Sequence, residues 1–228
     1  MADARLGFVP RTVVFDADST LVGIEGIDWL AALRPPDVAA RIARLTDEAM
    51  AGTLPLERVY GERLAAVAPT ADELDRLGAA YVAATAPGAC DSVAALQRAG
   101  VRVLIVSGGL RVPLLALASH VGIVAEDVHG VDVFHGADGS YAGFDTASPL
   151  AQQRGKAALV ASLEISHGVA RPIVVVGDGS TDVVIRTAGV ADAFIAFTGF
   201  VTRESVVRVA DFTSDSFERV LALLLPRP

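Results

Sequence analysis

TVVFDADST (residues 12–20) is an apolar, partly β-branched run that ends abruptly at two acids two positions apart, followed by two hydroxyl residues. A run this short, with apolar side chains at consecutive positions, reads as a strand buried on both faces, the pattern of a parallel sheet. Working outward, three more such runs are found at 101–106, 173–176 and 194–197, and Gly, Ser, Asp or Thr follows each. The intervening stretches are helical in spacing. In 89–99, Val93 and Leu96 are three apart, and Gly100 supplies a stop just before the next strand. Alternating strands and helices predict an α/β fold built on a doubly wound parallel sheet.

Two segments interrupt the alternation. From about 22 to 86 the apolar residues keep helical spacing with no strand-like run, which predicts a helical insertion after the first strand. Ile27, Leu30 and Leu33 share a face there until Pro35 and Pro36, and Leu56, Val59, Tyr60, Leu64 and Val67 repeat the pattern. Thr70 and Glu73 have the spacing of a capping box. The second interruption, 131–144, alternates around Asp138-Gly139 and predicts a hairpin.

Composition narrows the function. With 52% hydrophobic and 20% charged residues among 228, the chain has enough apolar material for a sizeable core, which excludes disorder. Nineteen Lys and Arg against 27 Asp and Glu give a net charge of −8, so a nucleic-acid backbone would repel the protein. No apolar run approaches a membrane span, and the expectation is a soluble cytoplasmic protein. The lone Cys90 excludes an internal disulfide. His120, His129, His135 and His167 have no spacing that pairs them as metal ligands, and Trp29 reads as packing.

Ligands of such sheets bind beyond the carboxyl ends of the strands. Those ends carry Asp16 and Asp18 after the first run, Ser107, Gly108 and Gly109 after the second, and Asp178, Thr181 and Asp182 after the third. Four carboxylates aimed at one crevice require a compensating cation. Mg²⁺ suits, because carboxylates, waters and a substrate phosphate complete its oxygen shell. An Asp after a strand, a GDG or an SGG is individually the signature of a cap or turn; their ordered occurrence is what points to a phosphate site.

These stretches resemble the haloacid dehalogenase-like phosphohydrolases: FDADST matches the first motif of that family, Ser107 the second, Lys156 in RGKAA the third and GDGSTD the fourth. EGIDWL, MAGTLPLERVYGERL, SGGLR, YAGFD and ADAFIAFTGFVTRESV further resemble members that hydrolyse O-phosphoserine in serine biosynthesis. The resemblance implies a Rossmann-like core of residues 1–21 and 88–228 and a helical cap of residues 22–87. It implies Asp16 as nucleophile and Asp18 as general acid and base. Asp16, Asp178 and the Asp18 backbone carbonyl would hold Mg²⁺, with Asp182 orienting its waters or Lys156. Ser107, Gly108, Gly109, Lys156 and Thr181 would cradle phosphate. In the cap, Glu25 and Arg63 would meet the ammonium and carboxylate of the substrate, Met50 and Leu56 would line the pocket, and Arg203 would contact the site from a nearby loop. A small phosphate ester is the expected partner, with no nucleic acid or membrane, and the protein is expected to be a monomer or homodimer. Two rivals share parts of this pattern. One is a phosphatase or phosphotransferase for another small ester; the other is a signalling receiver that stores phosphate on Asp16, which leaves Asp18 without a task.

Overall fold

The computed structural model describes residues 5–50 and 53–226, the side chain of Met50 excepted. Its centre is β1 (Thr12–Phe15), in which Val13, Val14 and Phe15 are inaccessible to solvent. Burying each such side chain contributes about 1.5–3 kcal/mol. The other strands of the main sheet are β2 (Arg102–Leu110), β3 (Val128–Val131), β6 (Ile173–Gly177), β7 (Ala193–Phe197) and β8 (Phe212–Ser214), and the order is β3-β2-β1-β6-β7-β8. All pairings are parallel. The chain leaves β1 with later strands on both sides, so the order reverses there, and a doubly wound sheet opens its ligand crevice at that reversal.

All four expected strands are present, and the structure adds two at the edges, β3 and β8. Neither is an apolar run. The first contains His129 and Gly130, the second is Phe-Thr-Ser, and both are only partly buried. Edge strands with one partner need less apolar surface, which is why periodicity misses them.

Four helices occupy the stretch after β1: α1 (Gly26–Ala31), α2 (Pro36–Met50), α3 (Leu56–Val67) and α4 (Ala71–Ala83). Pro36 opens α2 instead of merely ending α1. At a first helical turn its missing N–H has no intrahelical partner to lose. Thr70 caps α4 in a complete capping box with Glu73. The connections into and out of this stretch run side by side, with Gly23 N–H donating to the Ala84 carbonyl at 2.9 Å and Ala86 N–H to the Leu21 carbonyl at 2.8 Å. The chain continues through α5 (Ala89–Arg98) and α6 (Arg111–Val121). A hairpin of β4 (Val133–His135) and β5 (Tyr141–Phe144) turns at Gly139, whose φ of +78° suits glycine. The remaining helices are α7 (Gly155–Ser166), α8 (Ser180–Thr187), α9 (Glu204–Val207) and α10 (Phe217–Leu224). None of the helices among the described residues is long and apolar enough to cross a membrane.

Candidate active site

Register brings the first carboxylates together. β1 and β6 pair as Phe15 with Val176, so Asp16 emerges one residue past that pair and Asp178 two past it. The Asp16 N–H continues the ladder to the Val176 carbonyl at 3.0 Å. Asp182 reaches the same place from the first turn of α8, folding back over Gly177. A Cβ at Gly177 would stand 2.3 Å from the Asp182 carboxyl group, so only glycine permits this approach. Oxygens of Asp16, Asp178 and Asp182 lie within 4.8 Å of one another, and all three residues are buried.

Lys156, on α7 and 3% exposed, bridges two of them, with Nζ 2.6 Å from Asp16 Oδ2 and 2.7 Å from Asp182 Oδ1. Burial disfavours the ammonium, but the charges of Asp16 and Asp182 outweigh it and hold the Lys156 pKa above its ordinary value. Burial raises Asp182 to about 7, against the pull of Lys156. Its other oxygen accepts from the Gly179 N–H at 3.1 Å.

Asp18 is set apart from this cluster. Its carboxyl bonds the Tyr81 hydroxyl of α4 and, at 3.2 Å, the N–H of Gly26 on α1. Gly26 leaves the room, since a Cβ there would stand 2.2 Å from Tyr81 Oη. Burial, then the charge of Glu25, pushes the Asp18 pKa well above the usual carboxylate range, and the Tyr81 hydrogen bond only partly opposes this. Two acids two residues apart therefore sit in different surroundings, one against an ammonium and the other against the Tyr81 hydroxyl and near the charge of Glu25.

The crevice around them is lined by Asp16, Asp18, Asp178, Ser107, Gly108, Gly109, Lys156 and Thr181 from the strand ends and the helices that follow them. Glu25, Leu56 and Arg63 line it from the helical stretch. Ser107 Oγ accepts from the Gly109 N–H at 3.0 Å. Ser19, with φ of +51°, donates its hydroxyl to Glu25 at 2.7 Å. Burial raises the Glu25 pKa. Arg63 is 4% exposed, and its Nε has no hydrogen-bond partner. Arg203 is buried to 8% exposure. It pairs with Asp178 and lies 3.7 Å from Glu25, which joins the loop before α9 to the carboxylates. The side chain of Met50 lies outside the described residues.

Sequence reading passed over three contributors. Tyr60 lines the crevice and donates to the Gly108 carbonyl at 2.8 Å, Tyr81 holds Asp18, and Thr20 donates to Asp178 Oδ1 at 3.1 Å. Tyr60 falls in an apolar helical stripe and read as core. The available signal was the hydroxyl, because a buried phenol needs a hydrogen-bond partner.

In and beside the crevice, Asp16, Asp18, Asp178, Asp182 and Glu25 face Lys156, Arg63 and Arg203, so acids outnumber bases. The clustered, buried carboxylate oxygens of Asp16, Asp178 and Asp182 fit a hard divalent cation.

Comparisons with known proteins agree with this architecture. Residues 13–184 match the haloacid dehalogenase-like hydrolase family. The chain is similar to the phosphoserine phosphatase of Rattus norvegicus, 35% identical over 93% of this chain and 92% of the rat protein. It is likewise similar to the phosphoserine phosphatase of Homo sapiens, 34% identical over 96% of both chains. Among solved structures, a phosphoserine phosphohydrolase-like protein from Francisella tularensis superposes with a TM-score of 0.85 at 23% identity, covering 94% of this chain and all of the other.

Proposed function

The chain belongs to the haloacid dehalogenase-like hydrolases, on the branch of its phosphoserine phosphatase relatives, and from that premise we propose that its crevice hydrolyses O-phosphoserine to serine and inorganic phosphate through an aspartyl-phosphate on Asp16. The observation that carries the reading is the contrast between Asp16 and Asp18. A carboxylate beside the Lys156 ammonium suits a nucleophile, and a carboxyl of raised pKa bonded to the Tyr81 hydroxyl suits a proton donor.

In the first step an Asp16 oxygen bonds to phosphorus as the bond from phosphorus to the seryl oxygen breaks, and the Asp18 proton passes to that oxygen. In the second, water attacks phosphorus and gives a proton to Asp18, and the bond to Asp16 breaks to release phosphate. Both acids return to their starting forms. Lys156, the Ser107 hydroxyl and backbone N–H groups at Gly108 and Gly109 would receive the equatorial oxygens, with Thr181 beside them. Asp16, Asp178 and the Asp18 backbone carbonyl would hold Mg²⁺, with Asp182 behind them. When bound, the ion supplies neutralisation of the charge on the transferring phosphoryl group.

Selection belongs to the helical stretch, residues 22–87, read as a cap over the crevice. Arg63 would take the substrate carboxylate with its planar fork, and Glu25 would take the ammonium. Leu56 supplies apolar wall, and Arg203 steadies Glu25 and Asp178. Sustained phosphate release from O-phosphoserine with Mg²⁺, abolished in Asp16→Asn without loss of fold, is the expected result. Retained multiple turnover by that variant would overturn the covalent route.

A further inference from the structure

Arg63 does not stand alone. It lies on α3, and its Nη2 is 3.6 Å from Asp28 Oδ1 on α1. Asp28 Oδ1 in turn accepts the hydroxyl of Thr46, on α2, at 2.6 Å. One polar residue from each of three helices thus meets at one point beside the crevice, and Thr46 is only 1% exposed. The Asp28 contact is a single long one, not a bidentate clamp, so most of the guanidinium fork remains free for another carboxylate.

Arg63 also has somewhere else to go. Besides the crevice it lines a second cavity between α2 and α3, together with Asp37, Arg41, Ile42, Leu45 and Glu62. Glu62 there already pairs with Arg41, and Asp37 is the carboxylate that would attract a guanidinium on a flexible stem. Outside that cavity, the carboxylate paired with Arg63 is Asp28 of α1.

We propose that Asp28 and Thr46 are positioning residues for substrate selection: Thr46 holds Asp28, and Asp28 holds the Arg63 guanidinium at the crevice instead of the α2–α3 cavity. The inference rests on the reading of Arg63 as the carboxylate contact and deepens it. Its prediction concerns esters that differ only in the carboxylate. Phosphoethanolamine keeps the phosphate and ammonium of phosphoserine and lacks the carboxylate, so the ratio of kcat/KM for the two esters reports the Arg63 contact.

The experiment measures both esters on the parent protein and on Asp28→Asn, Thr46→Val, Thr46→Ser and Arg63→Ala. Misplacing a binding group by about 1 Å costs up to about 100-fold, so Asp28→Asn and Thr46→Val should each lower the phosphoserine-to-phosphoethanolamine ratio by about ten-fold or more. The loss should appear in KM for phosphoserine more than in kcat. Thr46→Ser, which keeps the hydroxyl, should restore the ratio, and Asp28→Asn added to Arg63→Ala should lower it no further. If Arg63→Ala collapses the ratio while Asp28→Asn and Thr46→Val leave it intact, or if those two depress both esters equally, the positioning role is wrong and Arg63 keeps its own. If Arg63→Ala itself leaves the ratio intact, the carboxylate contact falls and takes this inference with it. Should Asp28→Asn fail to fold, the Thr46→Val and Thr46→Ser pair decides the matter alone.

Discussion

Asp18 illustrates how placement sets chemistry. Its carboxyl is raised in pKa by burial and by the charge of Glu25, which fits the proposed role of proton donor, whereas Asp16 two residues earlier faces Lys156. Asp18→Asn should therefore lower kcat for phosphoserine by about 10² to 10⁴. The loss should shrink with nitrophenyl phosphate, whose leaving group needs little protonation. Steady-state rates on both esters check this, and equal losses would assign Asp18 a metal-holding or structural role. Gly177 offers a second test at this scale. In Gly177→Ala the new methyl collides with the Asp182 carboxyl, which should cost about 1–3 kcal/mol and loosen Lys156, so melting temperature and kcat should fall together. The GDGSTD motif put Asp178 and Asp182 after the third apolar run, but that Gly177 makes room for Asp182 is visible only in space.

The clearest element-scale feature is the start of α4. Thr70 Oγ1 accepts from the Glu73 N–H at 3.2 Å, and Glu73 accepts from the Thr70 N–H at 3.0 Å. Arg34, beyond the end of α1, adds a bidentate pair to the same Glu73 at 2.7 and 2.6 Å. Thr70→Ala should cost about 1 kcal/mol, a loss of about 2–4 °C in melting temperature for a chain of this size, read by thermal unfolding. The Arg34 hydrogen bond holds the Glu73 pKa below its ordinary value of 4.5. A carboxylate whose folded pKa is depressed stabilises fully above its unfolded pKa and loses that contribution as pH falls through the folded one. The stability gap between the parent protein and Glu73→Gln should therefore be constant near neutrality and close below pH 4.5; denaturant titrations at pH 7 and pH 3 measure it. The capping box was legible because its signal is local, S/T and E three apart. The Arg34 clamp was not, because it spans 39 residues.

On the scale of the molecule, sheet and helical stretch together build a crevice that neither completes alone. Sheet ends with α7 and α8 bring the carboxylates and Lys156, and the helical stretch after β1 brings Glu25, Arg63, Tyr60 and Tyr81. The oxygen cluster of Asp16, Asp178 and Asp182 there predicts linkage to cation binding. A ligand at 100 times its dissociation constant stabilises the folded state by about 2.7 kcal/mol, so saturating Mg²⁺ should raise the melting temperature by about 5–10 °C. Asp178→Asn should lose most of that rise, and excess chelator should silence phosphate release. An unchanged melting curve with Mg²⁺ in the parent protein would remove the cation from this site.

By itself the sequence determined the central strands, the helical insertion, the hairpin turn and the strand-end positions of Asp16, Asp18 and Asp178. Each of these depends on composition within a few residues: consecutive apolar side chains make a buried strand, and an acid directly after one emerges at its carboxyl end. Tertiary structure decided the rest. It gathered Asp16, Asp178 and Asp182 and left Asp18 to Tyr81, buried Arg203 against Asp178 and Glu25, added β3 and β8 at the edges, and joined Asp28, Thr46 and Arg63 from three helices. These outcomes follow from strand register and helix packing between segments distant in the chain. A local pattern carries no information about which distant partner a buried polar group will find.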